Sequence, residues 1–343
     1  MQPWLTLIIA AVAAFALTPL ARLASRWLGF LDDPGYRKIH AEPMPLLGGV
    51  AVFAAVALGV LAAGPAELAE DGRHLAGILG GAALALALGL VDDRRDLKAA
   101  PKLMGQLLIA LVAAASGLRM TLFIPVPALQ WLLTVLWLVT VMNALNFMDN
   151  MDGLCSGVGA ICALIFGGIA MAHGQPLAAT LAAALAGALL GFLPWNFPRA
   201  RIFLGDGGSH LVGFLLGALA LLPSYYQHRN PSPTLLPVLI PLIVLALPLF
   251  DLVAVMWQRW RQGVPVYIGD TNHISHRFVR LGLSPVAAVT VLYLLTLVLG
   301  FGAVLLLWAP PWVAVLVVAQ TLGVLAVVTA MQYFGARRNG SGR

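Results

Sequence analysis

Eleven apolar runs, at about 3–24, 46–63, 74–91, 102–117, 127–146, 154–172, 177–193, 208–223, 235–256, 285–308 and 311–334, leave this chain few ways to fold. A helix that crosses a membrane needs ~20 apolar residues, with a working range of about 17–25. Inside hydrocarbon every backbone polar group must be paired within the protein, so runs of this length imply helices. The expected fold is all-α: a polytopic integral membrane protein with about 11 transmembrane helices. The fourth and seventh runs are short for this reading. Only 10% of the residues are charged, against about 25% in soluble domains. No polar stretch is long enough for a separate soluble domain. One membrane-embedded domain is expected over 1–343, with its motif-bearing core at about 30–285.

The charges partition by side. All but Arg73, Arg119 and Arg229 of the 20 Lys and Arg fall on one alternate set of loops and helix ends. The positive-inside rule puts that set in the cytoplasm, the N-terminus outside and the C-terminus inside. Arg22 and Arg26 follow the first run rather than precede it. An uncleaved first helix is therefore expected rather than a signal peptide. Trp27, Trp195, Trp257 and Trp260 fall at inner helix edges, and Trp4, Trp131, Trp308 and Trp312 at outer ones. Trp137 lies mid-run and does not fit this belt. The basic residues are scattered between apolar runs, which excludes a nucleic-acid-binding surface. Cys155 and Cys162 share one apolar run at a spacing that suits neither a disulfide nor a metal site, so both are expected in the core.

All but Glu67, Glu70 and Asp71 of the 14 acids lie on the cytoplasmic side, and so do all the polar constellations. Asn143, Asn146, Asp149 and Asp152 recur at three-residue spacing between two apolar runs. On a helical turn that spacing aligns them on one face. Acids at this depth are costly and are candidates for function. The adjacent pair Asp92-Asp93 ends the third run. Such a pair is either neutralised by Arg94 and Arg95 or holds a cation. Mg²⁺ fits, since it takes one or two carboxylates plus substrate phosphates.

A Gly-rich turn carries Asp206 into the eighth run. Asp206 there is either a helix cap or an acid beside a phosphate-binding helix N-terminus. The first inner loop places Arg37, Lys38 and His40 before Pro43, Pro45, Gly48 and Gly49. It reads either as a phosphate-holding loop or as a simple turn. His273 and His276 stand among Arg259, Arg261, Arg277 and Arg280, a setting that favours phosphate contact over zinc. Asp251 is an isolated acid near the inner end of the ninth run, either part of the site or paired with an Arg. Carboxylates, Gly-rich turns, His and cations on one face suit phosphoryl transfer, which needs charge neutralisation and alignment.

Five motifs then carry a resemblance. They are His40-x-x-Pro-x-Pro-x-x-Gly-Gly, Asp92-Asp93-x-x-Asp96-Leu97 with Lys102-Leu-Met-Gly-Gln106, Asn143-x-x-Asn146-x-x-Asp149-x-x-Asp152-Gly153, Phe203-Leu-Gly205-Asp206-x-Gly-Ser209, and His273-Ile-Ser-His276. In order and spacing the chain resembles the polyprenyl-phosphate N-acetylhexosamine-1-phosphate transferases. That superfamily includes the phospho-MurNAc-pentapeptide translocase of peptidoglycan synthesis. Two positions depart from the family pattern: Ser275 interrupts the usual His run, and Asn150-Met151 replaces Gly-Leu.

The resemblance implies an enzyme of the bacterial cytoplasmic membrane that moves HexNAc-1-phosphate from a UDP-N-acetylhexosamine to polyprenyl phosphate and releases UMP. GlcNAc-1-phosphate is the expected group and cell-envelope glycan synthesis the expected setting. The implied cofactor is Mg²⁺, with Mn²⁺ as a substitute, and a homodimer is compatible. Implied catalytic residues are Asp92, Asp93, Asp206, His273 and His276, with Asp206 and Asp149 on the metal. Asn146, Asp149, Asp152, Asn196 and Phe203 would line the nucleotide side. Lys102, Arg37 and His40 would meet the lipid phosphate. The phospho-MurNAc-pentapeptide branch is the alternative within the superfamily. From other classes, a secondary transporter would show matching halves and midplane acids, and a polyprenyl-diphosphate phosphatase would use water instead of a UDP-sugar.

Overall fold

The computed structural model describes residues 2–32, 43–64, 72–120, 125–222, 236–265, 267, 272–308 and 310–340. It divides into two compact units, Met1–Pro223 and Ser224–Arg343. The expected loop residues Arg37, Lys38 and His40 lie outside the described residues.

The first unit contains α1 (Pro3–Leu28), α2 (Gly48–Ala63), α3 (Gly72–Arg95), α4 (Ala99–Ala115), α5 (Pro127–Met148), α6 (Leu154–Ala172), α7 (Pro176–Asn196) and α8 (Gly205–Leu219). Between α1 and α2 a short antiparallel ladder pairs β1 (Leu31–Asp32) with β2 (Met44–Pro45). The second unit contains a 3-10 turn (Leu236–Leu239), α9 (Ile240–Val244), α10 (Ala246–Arg261), α11 (Ile274–Arg280), α12 (Pro285–Leu305) and α13 (Pro311–Gly340). Several starts are set by Pro at the first helical turn, where a missing N–H costs nothing. Ser284 also caps α12 by accepting from the Ala287 N–H at 3.2 Å.

The all-α expectation holds. Among the described residues, seven helices are long and apolar enough to cross a membrane, α2 and α4 being apolar but shorter. The protein is a multi-pass membrane protein. One run departs from its sequence reading: the segment expected at about 235–256 is broken into the 3-10 turn, α9 and α10. Pro237, Pro241 and Pro248 fall in this stretch, and each removes a backbone donor that an unbroken helix would use.

In the first unit α8 is the central post. It packs on α2, α3, α5, α6 and α7, and every residue from Gly207 to Leu219 is buried. Cys155 and Cys162 are free and buried, as expected of core residues. Trp137 faces this core and donates its indole N–H to the Gly217 carbonyl at 3.1 Å, which explains its place away from the helix edges. The second unit gathers around α12, which meets α9, α10, α11 and α13.

Neighbouring backbones approach α8 through glycine. A Cβ on Gly49 would stand 2.4 Å from the Gly208 nitrogen, and one on Gly89 would stand 2.3 Å from the Asp206 carbonyl oxygen. These contacts are to main chain and cannot rotate away. Gly89→Ala therefore forces α3 off α8 and is expected to destabilise by about 1–3 kcal/mol. Gly80→Ala, with nothing within 4 Å of the new methyl, is the control. Thermal unfolding of the two variants in detergent checks this; equal midpoints would refute the close approach.

Candidate active site

Four helices of the first unit bring their polar ends to one point. Lys102 on α4 places its Nζ 2.6 Å from Asp92 Oδ2 on α3 and 2.8 Å from Asp206 Oδ2 on α8. The same ammonium donates to Asn146 Oδ1 on α5 at 3.2 Å. Asn146 in turn donates its amide N–H to Asp206 Oδ1 at 2.9 Å and to Ser209 Oγ at 3.0 Å. Two carboxylates and an amide oxygen thus converge on one positive charge. Asp92 is 7% exposed and Asp206 35% exposed, so the pair opens on the Asp206 side.

The adjacent Asp93 does something different. Its Oδ1 accepts from the Asp206 N–H at 2.9 Å and its Oδ2 from the Gly207 N–H at 3.1 Å. It caps the N-terminus of α8 from a neighbouring helix, where a carboxylate suits the helix dipole. The N–H groups that the Gly-rich turn offered for phosphate are already taken there. Asp206 is accordingly not the cap but an acid in the first turn of α8. Gly205 makes the entry possible: its φ is +76°, and a Cβ would lie 2.7 Å from the Leu46 carbonyl oxygen. Gly48 and Gly49 likewise serve packing. Their N–H groups donate to the carbonyls of Phe203 and Leu204 at 3.1 and 2.9 Å. The Phe203 N–H donates to Pro45 O at 2.8 Å, so the backbone of Phe203 belongs to this ladder.

The helical reading of Asn143–Asp152 needs a correction. Helix α5 ends at Met148, and Asp149 is its C-cap. Gly153 then turns the chain at φ +73°, with Phe197 pressed where a Cβ would stand. Asn143 and Asn146 share a helical face, but Asp149 and Asp152 do not. Asp152 Oδ2 accepts from the Ala200 N–H at 2.9 Å. Asn196 is buried; its Oδ1 accepts from Gly153 N–H and Ser156 O–H at 3.0 Å each, while its N–H donates to Ile202 O at 3.0 Å. These two side chains tie the loop after α7 to the start of α6.

Asp149 is the acid left over. Among the described residues no hydrogen bond or salt bridge reaches its carboxylate. Burial, and then the carboxylates of Asp206, Asp93 and Asp152, hold it well above the usual carboxylate range. No group of three or more His, Cys, Asp or Glu side chains converges as a closed metal cage among the described residues. Asp149, unpaired among the described residues, and the partly exposed Asp206 are the two carboxylates that suit an ion taking its remaining ligands from substrate phosphates.

The second unit holds its own constellation. Asp251 on α10 accepts from His273 Nδ1 at 2.7 Å and from the Ile274 N–H at 2.8 Å. The carboxylate therefore caps α11 and fixes the ring that precedes it. The rings of His273 and His276 lie 6.4 Å apart, and Ser275 between them is buried. Arg277 Nε donates to the Asn272 carbonyl at 2.7 Å, and its Nη2 bonds Gln258. A cavity of about 390 Å³ lined by His74, Arg119 and Gln175 lies at the far ends of the first unit's helices, away from the carboxylates.

Sequence reasoning passed over His210, which is wholly buried. It gave Gln106 no role, and offered Asp251 a place in the site or an Arg partner, where the structure pairs it with His273. The available signal was spacing, because Gln106 and His210 each follow a site residue by four positions on one helix.

Over 320 residues the chain is 34% identical to a Bacillus subtilis (strain 168) protein named "Probable undecaprenyl-phosphate N-acetylglucosaminyl 1-phosphate transferase", covering 91% of this chain and 87% of the relative. The chain belongs to the polyprenyl-phosphate N-acetylhexosamine-1-phosphate transferase family. It is 32% identical over 348 residues to the decaprenyl-phosphate N-acetylglucosaminephosphotransferase of Mycolicibacterium smegmatis, with 93% of this chain and 86% of the relative covered. With the Escherichia coli (strain K12) undecaprenyl-phosphate alpha-N-acetylglucosaminyl 1-phosphate transferase it shares 26% identity over 329 residues, 88% of this chain and 85% of the relative. Residues 75–224 match the model of glycosyl transferase family 4. That stretch contains Asp92, Lys102, Asn146, Asp149 and Asp206, and stops before His273. As a family member the protein is a membrane enzyme of the transferase class, as its five motifs implied.

Proposed function

We propose that this enzyme transfers GlcNAc-1-phosphate from UDP-GlcNAc to polyprenyl phosphate, releasing UMP, with Mg²⁺, at the cytoplasmic face of the bacterial inner membrane. The observation that carries the reading is the convergence of Asp92, Asp206 and Asn146 on the Lys102 ammonium. The named activities of the relatives from Bacillus, Mycolicibacterium and Escherichia support GlcNAc as the sugar. The side of the membrane rests on the Lys and Arg partition, and the eleven-span topology on the eleven apolar runs.

Both substrates are anionic, so the site must cancel their repulsion and align them. A phosphate oxygen of the lipid attacks the β-phosphorus of the UDP-sugar. The new P–O bond forms as the bond from that phosphorus to the bridging oxygen breaks, and the bridging oxygen leaves on UMP. Lys102, held between Asp92 and Asp206, supplies fixed positive charge. Asp92 would accept the proton of a lipid phosphate monoanion; its Oδ1 is held by the Leu97 N–H at 2.9 Å and its Oδ2 by Lys102 at 2.6 Å. Asp206 and Asp149 would hold Mg²⁺, which when bound neutralises diphosphate charge. Asn196 and Asp152 act on the nucleotide side by fixing the loop rather than by touching uridine. His273 has its Nδ1 committed to Asp251.

Purified enzyme with Mg²⁺ and undecaprenyl phosphate is expected to release UMP fastest with UDP-GlcNAc, among UDP-GlcNAc, UDP-GalNAc and UDP-MurNAc-pentapeptide. Chelation with EDTA should stop release and added Mg²⁺ restore it. No UMP with any donor from folded protein would sink the transfer reaction, and a faster rate with UDP-MurNAc-pentapeptide would move the enzyme to the other branch.

A further inference from the structure

One helical turn below the converging carboxylates lies a second polar layer on three of those four helices. Gln106 follows Lys102 by four residues on α4, Asn143 precedes Asn146 by three on α5, and His210 follows Asp206 by four on α8. Each step is about 5.4 Å along a helix. Gln106 is 1% exposed and His210 0%. Buried polar groups in apolar surroundings are costly unless fully paired, and apolar residues would fill the same space more cheaply.

The pairing is complete and its direction is fixed at both ends. Asn143 donates its amide N–H to the Val139 carbonyl at 2.8 Å. A carbonyl can only accept, so that atom is the amide nitrogen. It also donates to Gln106 Oε1 at 2.8 Å. The other atom of the Gln106 amide is therefore its nitrogen, which donates to Asn143 Oδ1 at 3.3 Å and lies 2.9 Å from His210 Nε2. His210 Nε2 must then accept. At the far end Nδ1 lies 2.6 Å from the Asp206 carbonyl, so Nδ1 carries the proton. The main chain of Asp206 is consequently pinned twice, at N–H by Asp93 and at C=O by His210. Only the side-chain torsions of Asp206 remain to be set, and Asn146 and Lys102 set those.

We infer that His210, Gln106 and Asn143 form a positioning layer that holds Asp206, Lys102 and Asn146 in register without touching substrate. This rests on the transferase reading above. A register kept by hydrogen bonds of fixed direction matters more than raw packing here. A shift of about 1 Å between catalytic groups can cost about a hundredfold in rate.

The test is steady-state UMP release by wild type, His210→Leu, Gln106→Leu, the double variant and His210→Asn, with UDP-GlcNAc and undecaprenyl phosphate. Wild-type activity tests the transferase reading separately. Given an active wild type, each single Leu variant is expected to lose at least tenfold in kcat, with both KM values within threefold. The double variant should fall no further than the worse single, because both act through one chain. His210→Asn keeps a donor near the Nδ1 position and should recover part of the loss, which mere filling of space by Leu does not. If a Leu variant fails to fold, the comparison of His210→Asn with Gln106→Leu decides. The inference fails if folded variants keep kcat within twofold of wild type, if the loss lies in KM alone, if the single losses multiply in the double variant, or if His210→Asn is as slow as His210→Leu.

Discussion

Asp206→Asn is expected to lower UMP release at saturating substrates by about 10³-fold while leaving the protein folded. A preorganised charged group at a transfer site is worth about 10²–10³ in kcat, and the loss of a metal-holding carboxylate adds to that. The amide keeps the shape of the side chain. Its main-chain bonds to Asp93 and His210 do not involve the carboxylate and survive. Lys102 also keeps Asp92 as its partner at 2.6 Å. The thermal midpoint should therefore move by only a few degrees, as for a partly exposed ion pair. The rate in the variant should respond to Mg²⁺ only at concentrations well above those that saturate wild type. UMP release within tenfold of wild type by a folded Asp206→Asn protein would remove Asp206 from the centre of the site.

Lys102→Met has the second large effect, and it strikes fold and activity together. Methionine matches the length of the lysine stem but carries no charge. Asp92 and Asp206 would then share a pocket with Asn146 and no cation among the described residues. Removing one partner of a buried pair costs about 3–5 kcal/mol. The exposure of Asp206 brings the expected cost toward or below the lower end. Activity should fall about a hundredfold or more, because the substrates lose the fixed charge that cancels their repulsion. Lys102→Arg is not expected to rescue, since a planar fork cannot place one nitrogen against three oxygens on three helices. Added Mg²⁺ should raise the midpoint of Lys102→Met more than that of wild type, because a divalent cation answers the unpaired carboxylates. A Lys102→Met midpoint equal to that of wild type without Mg²⁺ would show that the ion pair does not hold these helices together.

Much of this architecture was legible in the residue order. Apolar runs of membrane length predict helices, and most helix boundaries fall within a few residues of those runs. The exception at 236–261 is the Pro-rich run, where length and hydropathy alone do not register the missing donors. The motif residues of the first unit were also legible as a group, because acids and amides are rare in such a chain and expensive where they occur. Their division of labour was not. Asp149 and Asp152 have the spacing of a helical face, yet α5 ends at Met148 with Asp149 as its C-cap, before Gly153 turns the chain at positive φ. Asn196 reads as a binding residue but turns its whole amide inward to hold Gly153, Ser156 and Ile202.

The pair Asp92-Asp93 marks the boundary most sharply. By itself the sequence determined a membrane-embedded helical enzyme and put carboxylates, a lysine and asparagines at one set of helix ends. Hydropathy, the cost of burying charge and the order of five motifs are properties of the chain alone. Only the tertiary structure decided that Asp92 meets Lys102 while Asp93 caps α8. Successive side chains on a helix point about 100° apart, so two identical neighbours face different helices. What each then does is set by the group it finds there, an ammonium for one and two backbone N–H donors for the other.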